Sequence, residues 1–405
     1  MTWTARSLLP TFAAFVFTSA SSHGLGIRLQ NQDPVAVARG NAFTATADNP
    51  SALYYNPAGI TQLTGDNLQV GAYGIEFNVE HRAPETGQFS DTPDRWQGVP
   101  QLFYTRSVAQ GRAAMGFGVY SPYGLSSEWP DGSPFRSLAT KNKLVYITLN
   151  PVVAVKLTDT LSVAGGLTIN YGQANLKRGI IAPKDEFRVD GEGWSYGFNA
   201  GILWQPTPQH SFGVNYRSRS HMNFEGDSFI KSTTPFFFPS SRQRASFELD
   251  FPQHIVAGYS FRPNKDWNFE FNLDWTDWDD IGELRIRQPS GDLPLIFDWR
   301  SSFVYKFGAT RYLPRGFAVS AGYFYAESST PDDNFNPAIA DIDLHIFSAG
   351  FSYRSDRWSA GVAYQFGYGP ETTVNGSAFS AAGQNADGRY TFVGHGIELA
   401  VGYHF

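Results

Sequence analysis

The sequence predicts an all-β fold: a transmembrane antiparallel β-barrel of about fourteen strands, preceded by an N-terminal hatch, or plug, of short helices. Three observations predict this fold. Apolar and polar residues alternate in many separate runs, short connections between the runs alternate with long ones, and the composition is rich in aromatic residues but poor in charge. Charged residues are 17% and aromatic residues 16% of the 405 residues. No run approaches the roughly 18 apolar residues that a membrane-spanning helix needs.

The clearest alternation lies in the C-terminal segment, 396–405. Apolar side chains occupy every second position there, from Ile397 to Phe405, and small or polar side chains occupy the others. A period of two places one face of a strand in lipid and the other in the lumen. Aromatic residues near strand ends suit the interfacial girdles of such barrels, as at Trp204, Trp267, Tyr312, Trp358 and Tyr403. A soluble β-sandwich, with the same residues in its core, is the alternative.

The predicted strands cover nearly all of the chain after residue 67. Their spans are 68–80, 99–108, 112–124, 144–158, 161–178, 192–206, 210–224, 244–262, 267–286, 298–313, 317–329, 344–355, 358–373 and 395–405. Short connections, such as 158–160 and 355–357, fit periplasmic turns, and longer ones, such as 81–98 and 374–394, fit extracellular loops. The alternation of connection lengths is independent of the strand periodicity, so each supports the other.

The N-terminal region differs from the rest of the chain. Residues 1–22 have the features of a secretory signal peptide, with Arg6 ahead of an apolar core at 8–17 and small residues before His23. A short helix of the mature fold is the alternative. In the next segment, 23–66, small residues dominate and Pro and Gly interrupt the chain, so only short helices are expected. We therefore predict a signal peptide at 1–22, a hatch at 23–66 and a barrel at 67–405.

Composition excludes several kinds of site. The chain has no cysteine, which excludes disulfides and thiolate metal sites, and its net charge of -6 argues against a nucleic-acid partner. The eight histidines are scattered, and the motifs of hydrolases, zinc proteases and nucleotide-binding loops are absent from the sequence. We expect no cofactor, no metal and no enzymatic activity. An outer-membrane hydrolase whose Ser-His pair meets only in space is the alternative.

Several runs carry a resemblance to a known family. Gly40-Asn41-Ala42-Phe43, Ala47-Asp48-Asn49-Pro50-Ser51-Ala52 and Tyr54-Tyr55-Asn56-Pro57-Ala58 resemble the plug of the FadL family, outer-membrane transporters of long-chain fatty acids, toluene and related hydrophobic compounds. Tyr120–Leu125 resembles the family's third strand, Asp274-Trp275-Thr276-Asp277-Trp278 a motif of the ninth, and Asp341-Ile342-Asp343 the run before the twelfth. The resemblance covers about residues 23–405. It implies a fourteen-stranded barrel with an N-terminal hatch, which agrees with the strand count.

The resemblance also implies a mechanism of passive uptake in three stages. A groove on the loops collects the ligand, an internal pocket near the hatch holds it, and a kink in the third strand opens the wall sideways. The ligand would be a long-chain fatty acid or an aromatic or aliphatic hydrocarbon. A general aqueous porin or a surface-interaction barrel is the alternative function, although neither needs a hatch or a Phe-rich loop.

The third strand and the hatch supply candidate residues for the exit and for its closure. Gly118, Pro122 and Gly124 lie in the third strand, where Pro lacks a donor and Gly permits a bend, and the resemblance to the family favours a break in pairing there. A strand that simply ends at Ser121 is the alternative. The hatch candidates are Phe43, Tyr54, Tyr55, Asn56, Pro57 and Ala58. For Asn56 and Pro57 we favour a structural role, in which they fix a turn and cap a short helix, over direct ligand contact.

Basic residues are the candidates for binding a carboxylate inside the barrel. Strand alternation places Arg300 and Lys306 on the lumen face, and the resemblance favours Arg300 as the head-group residue. An internal charge network with Glu270 and Asp274 is the alternative. Where the family has a second basic residue on the fifth strand, this chain has Gln173, and strict alternation turns Gln173 outward unless Gly172 marks a bulge. This departure leaves both a neutral ligand and a fatty acid as candidates.

Aromatic residues in the long loops are candidates for collecting the ligand. The loop at 225–243 contains Phe229-Ile230 and Phe236, Phe237 and Phe238, and exposed apolar residues in such number point to a binding surface. A loop that folds down as a lid is the alternative. Trp129 and Phe135 are expected to extend the same patch.

The expected environment is the outer membrane of a Gram-negative-type bacterium. We expect a hydrophobic small-molecule ligand and contact with outer-membrane lipid and lipopolysaccharide. We also expect the barrel-assembly machinery to recognise the terminal Phe405.

Overall fold

The strands of a closed antiparallel barrel make up most of the protein in the computed structural model, which describes residues 26–180, 182–233, 239–380 and 382–405. The predicted signal peptide, 1–22, lies outside the described residues. The strands are β1 (Asp66–Arg82), β2 (Phe89–Asp91), β3 (Gln97–Val108), β4 (Ala113–Tyr120), β5 (Gly124–Glu128), β6 (Lys141–Lys156), β7 (Leu161–Gly179), β8 (Glu186–Thr207), β9 (His210–Arg217), β10 (Ser220–Lys231), β11 (Ser241–Phe251), β12 (His254–Asn264), β13 (Trp267–Thr276), β14 (Glu283–Ile286), β15 (Leu293–Ile296), β16 (Ser302–Tyr312), β17 (Phe317–Ala326), β18 (Leu344–Arg354), β19 (Trp358–Val374) and β20 (Gly388–His404).

These segments form fourteen barrel strands, which confirms the predicted count. The third, seventh and eighth barrel strands each consist of two consecutive segments, β4 with β5, β9 with β10, and β11 with β12. The barrel closes where β1 pairs with β20, from Asn67 opposite His404 to Arg82 opposite Arg389. Two further pieces lie outside the wall: β2 extends a hairpin on β1, and β14 pairs with β15 inside a long loop. The predicted ninth run, 267–286, therefore merged a barrel strand with part of that loop hairpin.

The helices of the described residues are short, and three of the seven precede the barrel. They are α1 (Pro34–Ala38), α2 (Ala52–Tyr55) and the 3-10 helices Pro57–Gln62, Ala109–Gly111, Trp278–Asp280, Pro314–Gly316 and Asp332–Asn334. Within the described ranges, no helix has the length and apolar character needed to cross a bilayer.

The alternation predicted for the C-terminal strand is present in the structure. Leu399 is 54% exposed on the outer face of β20, whereas Glu398 and Ala400 on the lumen face are 0% and 7% exposed. In a barrel the outer face contacts lipid tails, so apolar exposure there is stabilising rather than costly. Phe269, Phe271 and Phe307 are exposed on the same outer face.

Residues 26–65, which we call the hatch, fill the lumen near the short turns. Helix α1 packs against β17, β18, β19 and β20, and the 3-10 helix Pro57–Gln62 packs against β4, β6, β7 and β8 on the opposite wall. The two helices thus join opposite sides of the barrel. This arrangement supports the predicted plug.

Four lumen-facing polar residues of β13 bind the hatch. Asn268 donates to Thr46 Oγ1 (2.9 Å). Glu270 accepts from the backbone amide of Ala45 (2.8 Å) and from the guanidinium of Arg39 (3.2 Å). The side-chain amide of Asn272 lies 3.0 Å from Thr44 Oγ1. Asp274 forms an ion pair with Arg28. The alternation of β13 therefore places a ladder of hydrogen-bonding groups where the extended hatch chain passes.

Glycines on the lumen face let the hatch backbone touch the wall. A Cβ added at Gly322 of β17 would overlap the backbone of Arg39 and Gly40. Hatch and wall therefore meet there without an intervening side chain.

We expect Gly322→Ala to lower the free energy of unfolding by about 1–3 kcal/mol, because the added methyl group must push the hatch off the wall. Gly165→Ala on β7 is the matched control, since the nearest atom to its Cβ is 4.0 Å away. Thermal unfolding followed by gel mobility of the heated protein measures both. Equal midpoints for the two variants would show that the contact at Gly322 is not tight.

The third barrel strand is interrupted between Tyr120 and Gly124. The ladder between β3 and β4 ends at Leu102 opposite Val119, and among the described residues β5 pairs with β6 alone. Residues 120–125 are all buried, which shows that the chain here turns into the lumen. Hatch residues take the place of the missing strand partner: Leu29 N donates to Pro122 O (2.8 Å), and Gly124 N donates to Ile27 O (2.9 Å).

The long loops differ from the prediction in two respects. The loop predicted at 225–243 is shorter, because β10 continues to Lys231 and β11 begins at Ser241; Phe236, Phe237 and Phe238 lie outside the described residues. Trp129 and Phe135 are 3% and 0% exposed, so the prediction that they extend an exposed patch was wrong. The two rings pack edge to face 4.9 Å apart, and Trp129 Nε1 donates to Pro337 O (2.8 Å).

Candidate ligand-binding site

An apolar cavity, which we call cavity A, lies between the hatch and the long loops. About 870 Å³ of space in and around it is free of protein atoms, including open solvent at its mouth. Its wall side is formed by β5, β6, β7, β8 and β11, and its apolar character comes mainly from Leu144, Phe187, Phe247, Ile281, Phe297 and Trp299. A concave, mostly apolar lining is the usual form of a small-molecule site.

A folded loop covers cavity A. The β14–β15 hairpin directs Leu284, Ile286 and Leu295 into the cavity, and a second loop supplies Ala338 and Ile339. Trp278 and Trp299 pack edge to face 5.2 Å apart beside the hairpin. The cavity therefore has a lid of apolar side chains held by aromatic contacts.

Two hydrogen-bond donors of cavity A lack a strong partner. Arg178, on the lumen face of β7, stacks over Phe187 at 5.3 Å, and no carboxylate of the described residues neutralises it. Trp299 Nε1 is buried and has no acceptor within the described part of the chain. The guanidinium and the indole N–H can each donate to an oxygen of a ligand.

Lys306 lies in a buried charge network rather than in cavity A. Lys306 Nζ is 2.6 Å from Asp274 Oδ2. Arg28 donates to both oxygens of the same carboxylate, with Nη1 2.9 Å from Oδ1 and Nη2 3.1 Å from Oδ2. Burial lowers the pKa of the Arg28 guanidinium, but Asp274 outweighs this and raises it above its ordinary value. This geometry matches the alternative interpretation of Lys306, although Glu270 pairs with Arg39 of the hatch instead.

The prediction that Arg300 faces the lumen was wrong. Arg300 is exposed and does not line cavity A, whereas its neighbour Trp299 does. The regular strand begins only at Ser302, and burial of Trp299 followed by burial of Ser302 shows that the alternation does not extend back through 300–301. The alternation of inward and outward side chains in β16 therefore does not extend to Arg300.

Gln173 faces outward and does not contact cavity A. Its register with β6 and β8 is continuous, Gly172 makes no bulge, and Gln173 Nε2 donates to Tyr171 Oη (2.7 Å) on the outer face. Strict alternation holds here, so a ligand-binding role for Gln173 inside the barrel was the wrong interpretation.

The predicted hatch residues pack together inside the lumen. Phe43 is 0% exposed and meets the Tyr55 ring edge to face at 5.6 Å. Tyr54 Oη donates to Leu29 O (3.1 Å), and Tyr55 Oη donates to Gln30 O (2.8 Å). Both hydroxyls thus hold the extended strand of the hatch that reaches the break in the wall.

Asn56 and Pro57 have the structural role that we favoured. Asn56 caps the helix Pro57–Gln62 by accepting from Ala58 N (3.2 Å), and its amide donates to Thr44 O (2.8 Å) and Ile202 O (3.0 Å). Asn56, Pro57 and Ala58 are buried and none of them lines cavity A.

The candidate exit residues divide between the intact and the interrupted part of the third strand. Gly118 lies within β4 and is paired on both sides, opposite Phe103 and Asn150. Pro122 and Gly124 lie at the break itself, where Pro122 presents only a carbonyl and Gly124 begins β5. Leu125 and hatch residue Ile27 line cavity A, so the cavity reaches the break directly.

Sequence reasoning missed Arg178 and the loop hairpin over cavity A. Arg178 lies two positions after Leu176, near the end of a predicted strand. The alternation of that strand could therefore have placed the Arg178 side chain in the lumen. The hairpin was recognisable from the alternation of Leu284 and Ile286 in a loop rich in Gly and Pro. Ile27 carries no such signal, because its position depends on where the hatch crosses the lumen.

Comparisons with known proteins agree with this architecture. Residues 13–405 match the family described as outer membrane protein transport protein (OMPP1/FadL/TodX). A long-chain fatty acid transport protein of Escherichia coli O6:H1 is 25% identical over 398 residues, covering 86% of this chain and 87% of that protein. A 47 kDa outer membrane protein of Pasteurella multocida is 23% identical, covering 84% of each chain.

Solved structures show the same fold. A Pseudomonas aeruginosa FadL homologue superposes with a TM-score of 0.84 at 19% identity, covering 94% of this chain and all of that one (100%). The CymD monoaromatic hydrocarbon channel gives a TM-score of 0.71 at 18% identity, covering 94% and 99%. With the match along nearly the whole sequence, these findings establish that the chain belongs to the OMPP1/FadL/TodX family of outer-membrane transport proteins, which are channels for hydrophobic compounds and not enzymes.

Proposed function

We propose that this protein takes up hydrophobic small molecules passively, holding each in cavity A and releasing it sideways through the break in the third barrel strand. The observation that supports this most directly is that Ile27 and Leu125 line the cavity and also flank the break. A ligand leaving by this route stays among apolar side chains until it enters the lipid, so it never pays the cost of crossing water.

A long-chain fatty acid is the substrate class that cavity A favours. Its lining is almost entirely apolar, and Arg178 offers an uncompensated cation to a carboxylate. Lys306 and Arg28 are less suited to this role because both already bind the Asp274 carboxylate. The sequence relatives named as long-chain fatty acid transport proteins point to the same class.

A neutral hydrocarbon is the second candidate. Arg178 is the main charged group on the lumen side of the cavity, and a ligand without a head group would bind through the aromatic and aliphatic lining alone. Structural relatives include a monoaromatic hydrocarbon channel. The two substrate classes differ in their dependence on Arg178.

We expect Arg178→Gln to weaken oleate binding about tenfold to a hundredfold, because a charge-assisted hydrogen bond is worth about 1.5–3 kcal/mol. Binding of radiolabelled oleate and of toluene to the purified protein in a maltoside detergent measures both substrate classes. Toluene affinity should stay unchanged.

Arg106→Gln is the matched control, since Arg106 lies far from cavity A and is paired with Asp66 at 3.7 Å. Oleate affinity that is the same in wild type and Arg178→Gln would remove Arg178 from the site. An equal loss for oleate and toluene would mean that Arg178 only supports the shape of the cavity.

A further inference from the structure

A second internal cavity, which we call cavity B, lies across the lumen from cavity A. It is lined by hatch residues 28–31 and by strands β1, β17, β18, β19 and β20, and about 490 Å³ in and around it is free of protein atoms, including open solvent. One end is apolar, formed by Ile75, Phe324, Leu344, Ile346 and Phe392. The other end is polar, with Gln30, Tyr73 and Gln365 among its lining residues.

The polar end contains amide groups that the protein leaves unsatisfied. Gln30 is 2% exposed, and neither its Oε1 nor its Nε2 has a partner within the described part of the chain. Gln365 is 3% exposed; its Oε1 accepts from Tyr73 Oη (3.0 Å), but its Nε2 has no acceptor among the described residues. A buried polar atom that lacks a partner destabilises the folded protein. Such amides beside an apolar pocket indicate a place for a polar group carried on a hydrocarbon chain.

The free groups also specify the chemistry of that polar group. Gln30 offers an acceptor and donors, and Gln365 offers donors, which together match a hydroxyl or an un-ionised carboxyl group. An ionised carboxylate is acceptor-only and would need a free cation. Arg28, the cation in the lining, is already bound in bidentate fashion by Asp274.

We propose that cavity B binds an uncharged amphiphile, with a hydroxyl-bearing head held by Gln30 and Gln365 and its hydrocarbon chain against Phe324 and Phe392. The proposal rests on the proposed function, because it adds a second binding position for a hydrophobic ligand inside the same barrel. It also gives the hatch a further role. Ile27 lines cavity A and the next residue, Arg28, lines cavity B, so this extended segment forms the partition between the two.

Crystals grown in a maltoside detergent with 8-bromo-1-octanol test the proposal through the anomalous signal of bromine. We expect a bromine peak between Phe324 and Phe392, with the hydroxyl density at Gln30 and Gln365. The head-less probe 1-bromooctane should give no peak there. Ordered water alone between the two amides, with bromooctanol present, would overturn the proposal.

The location of the bromine also separates this proposal from the proposed function. Bromine in cavity A but not in cavity B would refute the second site and leave uptake through cavity A standing. Bromine in neither cavity would refute both.

The double variant Gln30→Leu/Gln365→Leu should bind bromooctanol at cavity B about tenfold more weakly, the loss expected when hydrogen bonds to the head are removed. Gln88→Leu, in an exposed loop, is the matched control. Unchanged binding in the double variant would overturn the assignment of the head to these amides. If the double variant fails to fold, the bromine positions in the wild-type protein still decide the matter.

Discussion

A disulfide between the hatch and the break in the third barrel strand should abolish ligand uptake while leaving ligand binding in cavity A intact. Leu29 and Pro122 lie side by side there, with Leu29 N 2.8 Å from Pro122 O. Directly opposed residues of antiparallel strands have Cβ atoms about 4.5–5.5 Å apart, close to the distance that a disulfide bridges. The chain has no cysteine, so Leu29→Cys/Pro122→Cys would contain a single pair.

The reason for so large an effect is that residues 27–29 fill the place of the missing strand partner. If the hatch must leave this place for the ligand to pass, a covalent bond blocks every turnover. The block is measured as uptake of radiolabelled oleate by cells that depend on the variant, before and after treatment with a reductant. We expect uptake at background when oxidised and near the wild-type rate when reduced.

The two single cysteine variants control for loss of the Leu29 side chain and of Pro122. Uptake that is the same in the oxidised and reduced double variant would show that ligand leaves by another route. Loss of oleate binding to the oxidised protein would instead point to a distorted cavity A.

Asp274→Ala should release the hatch, because Asp274 is the one carboxylate of the described residues that pairs with both Arg28 and Lys306. Its removal leaves two buried cations without a counter-ion, and breaking a buried ion pair from one side costs about 3–5 kcal/mol. Since Arg28 belongs to the hatch and Asp274 to β13, much of this cost falls on the seating of the hatch. We expect a lower unfolding temperature and steady ion conductance through the lumen in planar bilayers.

Asp266→Ala is the matched control, since Asp266 is exposed in a short turn next to β13. A triple variant, Arg28→Met/Asp274→Leu/Lys306→Met, removes all three charges together and should recover most of the stability, because replacing a whole buried ion network by apolar residues is often neutral or stabilising. A closed, normally stable Asp274→Ala protein would show that the network does not seat the hatch.

The barrel was predictable because lipid imposes a simple rule on each strand. Outward positions such as Leu399 must be apolar and inward positions such as Glu398 need not be, so the period of two is visible in the sequence. The same rule gave the correct orientation of Lys306. The rule failed at Arg300, because this residue precedes the regular strand and inward and outward side chains do not alternate there.

The motif at Asp274-Trp275-Thr276-Asp277-Trp278 shows what a resemblance alone leaves unexplained. In the structure Asp274 and Thr276 both accept from Arg28, and Trp278 packs beside Gly26. These contacts join positions nearly 250 residues apart, since Arg28 and Asp274 are separated by 246 positions. No local pattern encodes such a pair, and the motif could be recognised but not interpreted from the sequence.

What the sequence determined by itself was the wall: the number of strands, their inward and outward faces, the order of short and long connections, and the presence of a compact segment before them. The tertiary structure alone decided where that segment crosses the lumen, and therefore that Arg178 rather than Arg300 lies at a cavity, that Lys306 pairs with Asp274, and that residues 27–29 complete the interrupted strand. The physical reason is that a strand's faces follow from neighbouring residues in lipid, whereas a cavity is the space left between chain segments that are distant in sequence.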